Sequence, residues 1–245
     1  MIRQFDQTKI AQPADGSTMT SLPPISAADL AALLSSRLCH DIISPVFGIQ
    51  SGLELLDDMP GDKESMQLVR SSLKSAVAKL QFARIAFGAA GSQTAMIDLN
   101  DAKTVATGYM EHEKPSLVWE GEPGYVPKNC AKIVLNLIVM ASASISRGGK
   151  VHVQIDGIEP FGATITATGD RIRMQQRLVA MLDGTMGEEA MDAQAIQPYY
   201  TLFLAEESGL AVTYEKTDDR VVFKIGPKAA ATANEPAGPG PAPAA

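Results

Sequence analysis

The chain lacks several sequence features that are typical of common classes of protein. Only two cysteines occur in 245 residues, Cys39 and Cys130, and their spacing matches neither a metal site nor a redox motif. Aspartate and glutamate outnumber lysine and arginine, 28 to 21, so the chain has no basic footprint for nucleic acid. It also lacks an uninterrupted apolar run of about 18 residues and the apolar core of a signal peptide. We therefore expect a cytoplasmic protein that binds neither nucleic acid nor membrane.

Composition divides the chain into four segments. Residues 1–25 are polar and are predicted to form a flexible tail. Residues 228–245 consist mainly of alanine, proline and glycine, which cannot bury a core, so this segment is predicted to be disordered. Between the tails, the pattern changes near residue 90 from helical to mixed. We expect a helical hairpin over 26–91 and an α/β domain over 95–227.

The first domain has the apolar spacing of two packed helices. Small or apolar residues recur at alternating intervals of four and three residues, which is the seam of a helical bundle. The first helix contributes Leu38, Ile42, Pro45, Ile49, Gly52 and Leu56, and the second contributes Met66, Val69, Leu73, Ala76, Leu80, Ala83 and Phe87. Ser26 and Asp29 form a variant capping box at the start, and Pro60-Gly61 separates the helices. Two helices alone cannot surround such a seam, so we expect a homodimeric four-helix bundle.

The second domain alternates predicted strands and helices. Stretches rich in β-branched residues predict strands at 116–120, 151–156, 163–167, 211–215 and 221–225. Helical patterns lie at 101–111, 128–146, 173–182 and 197–208. This order predicts a mixed or antiparallel sheet with helices on one face, an α/β sandwich. The fold class of the whole chain is therefore α+β.

The segment 40–45, His-Asp-Ile-Ile-Ser-Pro, breaks the helical pattern most clearly. A proline inside a helix removes a backbone hydrogen bond and costs roughly 3 kcal/mol. Sequences break local rules of this kind mainly at functional sites. His40 lies two residues from the seam positions Leu38 and Ile42, a rotation of about 200°, so it should face solvent. We interpret His40 as a phosphoacceptor, although an isolated histidine on a helix is more often an ordinary solvated residue.

The neighbours of His40 suit this chemistry. A neutral imidazole is well populated near pH 7, and the adjacent Asp41 carboxylate is placed to orient it. Ser44 lies one turn away and Arg37 three residues before, so both are placed to contact a phosphoryl group. A metal site is disfavoured because adjacent helical side chains point about 100° apart. Docking of a partner is expected at exposed positions of the same helix: Leu33, Arg37, Val46, Phe47, Gly48 and Ser51.

The segment 40–45 resembles the phosphoacceptor box of bacterial histidine kinases, and the hairpin resembles their dimerisation and phosphotransfer domain. Residues 97–226 resemble a worn form of the ATP-binding domain that follows it. Asn136 matches the first asparagine of the nucleotide motif, whereas Met140 stands where the family has a magnesium ligand. The glycine-rich loops are reduced to 167–170 and 184–187. The resemblance therefore implies that this chain binds no nucleotide, metal or other cofactor.

An intact acceptor hairpin joined to a worn ATP-binding domain is similar to bacterial histidine phosphotransferases. The resemblance implies a homodimer that relays phosphoryl groups between the receiver domain of a hybrid histidine kinase and the receivers of response regulators in cell-cycle control. The receiver would supply Mg²⁺. Three alternatives stay open: an active ATP-dependent histidine kinase, a non-catalytic dimeric scaffold that binds receivers, and a receiver phosphatase in which Ser44 positions water.

Overall fold

The computed structural model describes residues 22–88, 95–187 and 191–228. Two antiparallel helices, α1 (Ala27–Asp58) and α2 (Lys63–Ala86), form the predicted hairpin. Ser26 starts α1, since its Oγ accepts from the amide of Asp29 over 3.0 Å and donates to Asp29 Oδ2 over 2.6 Å. Asp62 caps α2, and the hydrogen bonds from Ser65 hold the pKa of Asp62 below its ordinary value. The predicted start of α1 and the predicted break between the helices are confirmed.

Small residues on α1 allow α2 to approach closely. Pro45 and Gly52 are buried in the helix pair. A Cβ at Gly52 would lie 2.6 Å from Cγ2 of Val69, and one at Gly48 would overlap Oγ of Ser72. Gly48, which we expected at an exposed docking position, therefore faces α2, so that expectation is wrong.

The second domain contains seven strands and four helices in the described residues. The strands are β1 (Met96–Asp98), β2 (Ser116–Glu120), β3 (Tyr125–Pro127), β4 (Lys150–Ile158), β5 (Phe161–Thr168), β6 (Leu210–Lys216) and β7 (Arg220–Pro227). The helices are α3 (Leu99–Met110), α4 (Lys128–Ser144), α5 (Gln176–Leu182) and α6 (Ile196–Glu207). Every predicted strand and helix is present. The short β1 and β3 pair with each other and were not predicted.

The main sheet has the strand order β2-β4-β5-β7-β6. β2 runs parallel to β4, and the other neighbours are antiparallel, so the sheet is mixed as predicted. Alternate residues of the central strands are fully buried, as in Val151 and Val153 of β4 and Ile165 of β5. They pack with α4, in which 14 of the 17 residues are buried. The domain core therefore lies between one face of the sheet and α4.

The start of α1 packs against the second domain. Leu30, Leu33 and Leu34 contact the buried cluster around α6, which includes Met181, Ile196 and Tyr199. Leu33 is half-buried there, so its expected exposure is also wrong. Leu22 and Ile25, from the end of the predicted tail, pack against the same cluster. The rest of both predicted tails, 1–21 and 229–245, lies outside the described residues.

By length and composition alone, α1 is apolar enough to cross a membrane, since an 18-residue window within it has a mean hydropathy of 1.2. Helices that pack against other helices share this composition. Leu30, Leu33 and Leu34 of α1 pack against the second domain, and the ion pair of Arg37 with Asp41 lies in its middle. Part of its apolar character therefore serves packing within the protein, whereas Ile43, Val46, Phe47 and Leu53 are exposed.

Candidate functional site

His40 projects from the surface of α1. Its side chain is 86% exposed, as the helix phase predicted. Nδ1 lies 3.6 Å from Oδ1 of Asp41, slightly beyond hydrogen-bond distance. Since Nδ1 faces the carboxylate, the opposite ring nitrogen, Nε2, is the one available to a partner. The imidazole is therefore accessible on one side and faces a negative charge on the other.

Arg37 holds the carboxylate of Asp41. The Arg37 Nε donates to Asp41 Oδ2 over 3.0 Å, and both side chains are less than a third exposed. The two carboxylate oxygens thus have different neighbours: Oδ2 accepts from Arg37, and Oδ1 faces His40. Arg37 was predicted to contact a phosphoryl group; in this structure its Nε is engaged by Asp41 instead.

Several exposed residues share the side of α1 that carries His40. At 100° per residue, Ile43, Ser44, Phe47 and Ser51 all lie within about 60° of His40 around the helix axis. Ile43 and Phe47 are 52% and 60% exposed, an apolar pair beside the imidazole. We call His40, Ile43, Ser44, Phe47 and Ser51 the acceptor face. Val46 is also exposed, but it lies about 120° from His40 and outside this face.

The second domain reaches the back of Asp41. A small cavity behind the carboxylate is lined by residues of both domains, among them Asp41, Lys79, Tyr109, Val139 and Gln197. Burial raises the pKa of Tyr109, and the negative charges of Glu113 and Asp41 add to this rise. No local sequence signal pointed to Tyr109 or Gln197, because their relation to Asp41 depends on contacts between distant segments.

Asn136, the residue that matches the nucleotide motif, is hydrogen-bonded to other parts of the protein. Asn136 is fully buried; its Nδ2 donates to the carbonyl of Lys132 over 2.9 Å and, more weakly, to that of Ala86 over 3.4 Å. Its Oδ1 accepts from Nε2 of Gln197 over 3.0 Å. Met140 lines a cavity of about 30 Å³ between α1 and the second domain. That volume suits roughly one water molecule and is far too small for a nucleotide.

Among the other reactive groups, Cys39 is the exposed neighbour of His40 on α1, whereas Cys130 and His152 belong to the second domain. Cys39 and Cys130 are free thiols, and burial raises the pKa of Cys130 to about 11. His152 pairs with Glu120 over 3.1 Å on the sheet. Across the described residues, three or more His, Cys, Asp or Glu side chains do not come together as a metal site.

The sequence of this chain is similar to those of known phosphotransferases. The family model described as the histidine phosphotransferase C-terminal domain matches residues 99–220. The protein phosphotransferase ChpT of Brucella abortus (strain 2308) is 46% identical over 205 residues, which cover 83% of this chain and 98% of the relative. The chain belongs to the ChpT family of histidine phosphotransferases. Its activity is accordingly the transfer of phosphoryl groups in a phosphorelay.

A solved phosphotransferase structure agrees with this assignment. A bacterial phosphotransferase determined at 1.7 Å superimposes with a TM-score of 0.79 at 44% identity, covering 83% of this chain and 98% of that chain. The Acinetobacter baumannii histidine kinase AdeS gives a TM-score of 0.42 at 12% identity, covering 76% and 95%. The fold of this ChpT-family chain is thus a helical hairpin followed by an α/β domain, as in the bacterial phosphotransferase.

Proposed function

We propose that His40 is the residue that carries the phosphoryl group. The observation that supports this most strongly is the arrangement at one point of α1: an imidazole that is 86% exposed, with a carboxylate behind Nδ1 and an arginine on that carboxylate. A histidine that reacts with a phosphoryl group held on another protein needs this exposure. The carboxylate favours the tautomer in which Nδ1 carries the proton, so Nε2 has the free electron pair.

The transfer follows from this geometry. Nε2 attacks the phosphorus of an aspartyl phosphate in a docked receiver domain, and a P–N bond forms as the P–O bond to the aspartate breaks. The aspartate leaves as a carboxylate with the bonding electron pair. The proton on Nδ1 stays on the ring, and its positive charge is balanced by Asp41. Transfer to the next receiver reverses these steps, and catalysis consists of positioning and charge stabilisation.

The partners in this proposal are receiver domains: that of a hybrid histidine kinase and those of response regulators in cell-cycle control. They dock on the acceptor face, with Phe47 as an apolar anchor and Ser44 near the phosphoryl oxygens. Mg²⁺ comes from the acidic pocket of the receiver, so the chain contributes no cofactor. Soluble receivers place this reaction in the cytoplasm, without nucleic acid or membrane.

ATP plays no part in the proposal. Met140 lacks the oxygen that a magnesium ligand supplies. The cavity of about 30 Å³ beside it has no room for a nucleotide. The amide of Asn136 is already hydrogen-bonded within the protein. These three observations favour a protein that is phosphorylated by a receiver over an ATP-dependent kinase.

The proposal also includes a homodimer. One flank of the hairpin exposes an apolar stripe that consists of Val46 and Leu53 of α1 and of Met66, Leu73, Val77 and Leu80 of α2, each at least 40% exposed. Contiguous apolar patches of this kind usually mark an interface. Pairing with the same stripe of a second copy completes a four-helix bundle and leaves the acceptor face free.

The acceptor is tested by incubating the protein with a receiver that carries labelled phosphate. We expect the wild-type protein to take up label and His40→Ala to take up none, while His112→Gln, which changes another histidine, behaves as wild type. Label on His40→Ala would refute the assignment. A parallel incubation with labelled ATP alone should give no phosphohistidine; uptake there would support the kinase alternative. Binding of receivers with no label on the wild-type protein would support the scaffold alternative.

The dimer is tested by light scattering. We expect twice the chain mass for the wild-type protein and a monomer for Leu73→Glu, which puts a charge in the apolar stripe. Leu68→Glu is the matched control, because Leu68 lies about 140° away around α2. A monomeric wild-type protein, or a Leu73→Glu variant of full dimer mass, would contradict this part of the proposal.

A further inference from the structure

Asn136 joins three parts of the structure that are distant in sequence. It lies on α4, donates to the carbonyl of Ala86 at the end of α2, and accepts from Gln197 on α6. Both side chains are buried, at 0% and 4% exposure. Buried amides whose hydrogen bonds are made fix the relative position of the segments they connect, because an unmade bond is costly there. Asn136 thus connects α6 of the second domain, through Gln197, to the end of α2 in the hairpin.

Gln197 also reaches the back of the acceptor site. Together with Val139 it lines the cavity that contains Arg37 and the cavity that contains Asp41. Arg37 lines one of these cavities and Asp41 lines the other. Hydrogen bonds thus run from Ala86 through Asn136 to Gln197, and Gln197 shares a cavity with each of the two residues behind His40.

We propose that Asn136 and Gln197 are positioning residues for phosphotransfer: their buried amide pair docks the second domain against α1 and so holds Arg37 and Asp41 in place behind His40. This inference rests on the proposed role of His40. It assigns a role in the reaction to the second domain, which resembles a worn ATP-binding domain. It also assigns a role to Asn136, which matches a residue of the nucleotide motif. Tyr109 belongs to the same support, since it lines the cavity that contains Asp41.

The physical reason is the exposure of His40. An imidazole that is 86% exposed is restrained by little of its own surroundings, so its orientation depends on Asp41. Asp41 is half-buried, and its position depends on Arg37 and on the residues of the second domain that line the same cavity. Misplacing a reacting group by about 1 Å can lower a rate by two orders of magnitude. Looser packing of these second-domain residues should therefore slow transfer of the phosphoryl group, while the receiver still docks on the acceptor face.

The test uses the full chain with Gln197→Met, which keeps the shape of the side chain and removes its amide. We expect the rate of transfer from a saturating phosphorylated receiver to fall about tenfold, with little change in the receiver concentration at half-maximal rate. We also expect the fraction of His40 with its proton on Nδ1, read from ¹⁵N chemical shifts, to fall. The matched control is Thr201→Val, which removes a fully buried hydrogen bond within α6, from Thr201 Oγ1 to the carbonyl of Gln197.

Each outcome of these measurements supports or overturns the inference. If Gln197→Met matches Thr201→Val in rate and in the His40 tautomer, the inference is overturned. If Gln197→Met does not fold, the double variant Asn136→Leu/Gln197→Met, which removes both amides, replaces it; a wild-type rate and tautomer there would also overturn the inference. A wild-type protein that takes no label from any receiver refutes the proposed function instead, and the tautomer measurement then still shows whether the amide pair orients His40.

Discussion

The Nε of Arg37 lies 3.0 Å from Oδ2 of Asp41, whose other oxygen faces Nδ1 of His40 at 3.6 Å. The ion pair spans one turn of α1 and is partly buried against the second domain. It places a fixed negative charge directly behind the exposed imidazole. This arrangement links the hairpin, which carries the proposed acceptor His40, to the second domain.

Asp41→Asn should slow phosphorylation of His40 more than Arg37→Gln. Loss of the carboxylate removes the group that holds the Nδ1 proton, and such groups contribute roughly 100-fold to rates. Loss of Arg37 leaves the carboxylate in place but less restrained, with an expected effect of about fivefold, the equivalent of about 1 kcal/mol. Single-turnover transfer from a phosphorylated receiver measures both rates. The control is Arg70→Gln, which changes an exposed residue of α2. A wild-type rate for Asp41→Asn would contradict the orienting role of Asp41.

Gly52→Ala should destabilise the hairpin. The new methyl group would meet Cγ2 of Val69 at 2.6 Å and the carbonyl of Ser65 at 3.2 Å, and backbone atoms cannot move aside cheaply. Overpacking of this kind costs about 1–3 kcal/mol, part of which is offset by the higher helix propensity of alanine. Urea unfolding at fixed protein concentration measures the change.

Gly108→Ala on α3 is the matched control for that substitution. No atom lies within 4 Å of its would-be Cβ, so only the propensity gain of up to about 1 kcal/mol should appear. A Gly52→Ala protein as stable as Gly108→Ala would show that the two helices are not held at the close distance described.

Lys132→Met should change how stability depends on pH. Lys132 is buried, its Nζ has Tyr200 Oη at 3.3 Å, and burial lowers its pKa from the ordinary value of 10.5. Between the lowered value and 10.5 the unfolded chain binds more protons than the folded one, so this lysine makes stability rise with pH. The variant lacks that rise. The free energy of unfolding of Lys132→Met minus that of wild type should therefore be largest near neutral pH and shrink towards pH 10.5.

Denaturant titrations at several pH values measure this difference. Lys103→Met, on the exposed side of α3, is the control for loss of one positive charge. A difference that is constant, or that grows with pH, would contradict the burial of the Lys132 amine.

Patterns along the sequence predicted most of the fold because they report on neighbouring residues. The alternating spacing through Pro45 and Gly52 identified the face of α1 that packs on α2, and period-two stretches identified five strands. The three-residue strands β1 and β3 are too short to show a period. The exposure of His40 was predictable because a seam on the same helix sets its phase.

Contacts between distant segments could not be predicted in this way. Leu33 reads as exposed on a two-helix hairpin, and only the position of α6 makes it half-buried. Gln197 is separated by 156 residues from Asp41, which lines the same cavity. Asn136 was recognised as part of a nucleotide motif, but its present hydrogen bonds depend on the ends of α2 and α6. No local sequence pattern predicts contacts between segments that are so far apart in the chain.

Phe47→Ala should weaken receiver docking without changing the chemistry. Phe47 is 60% exposed and lies about 20° from His40 around α1, so a receiver that reaches Nε2 should cover it. Aromatic anchors of this kind contribute about 2 kcal/mol or more to an interface, which corresponds to a rise of more than tenfold in the receiver concentration at half-maximal rate. The rate at saturation should stay near that of the wild-type protein.

Val46→Ala separates this docking role from bundle packing. Val46 immediately precedes Phe47 in the chain and is 48% exposed, but it lies on the apolar stripe. It should therefore affect dimer stability more than receiver docking. Phosphoramidate, a small donor that needs no docking surface, should phosphorylate His40 equally well in both variants. Equal losses of receiver affinity in Phe47→Ala and Val46→Ala would show that the docking surface extends over the flank that we assign to the second copy of the chain.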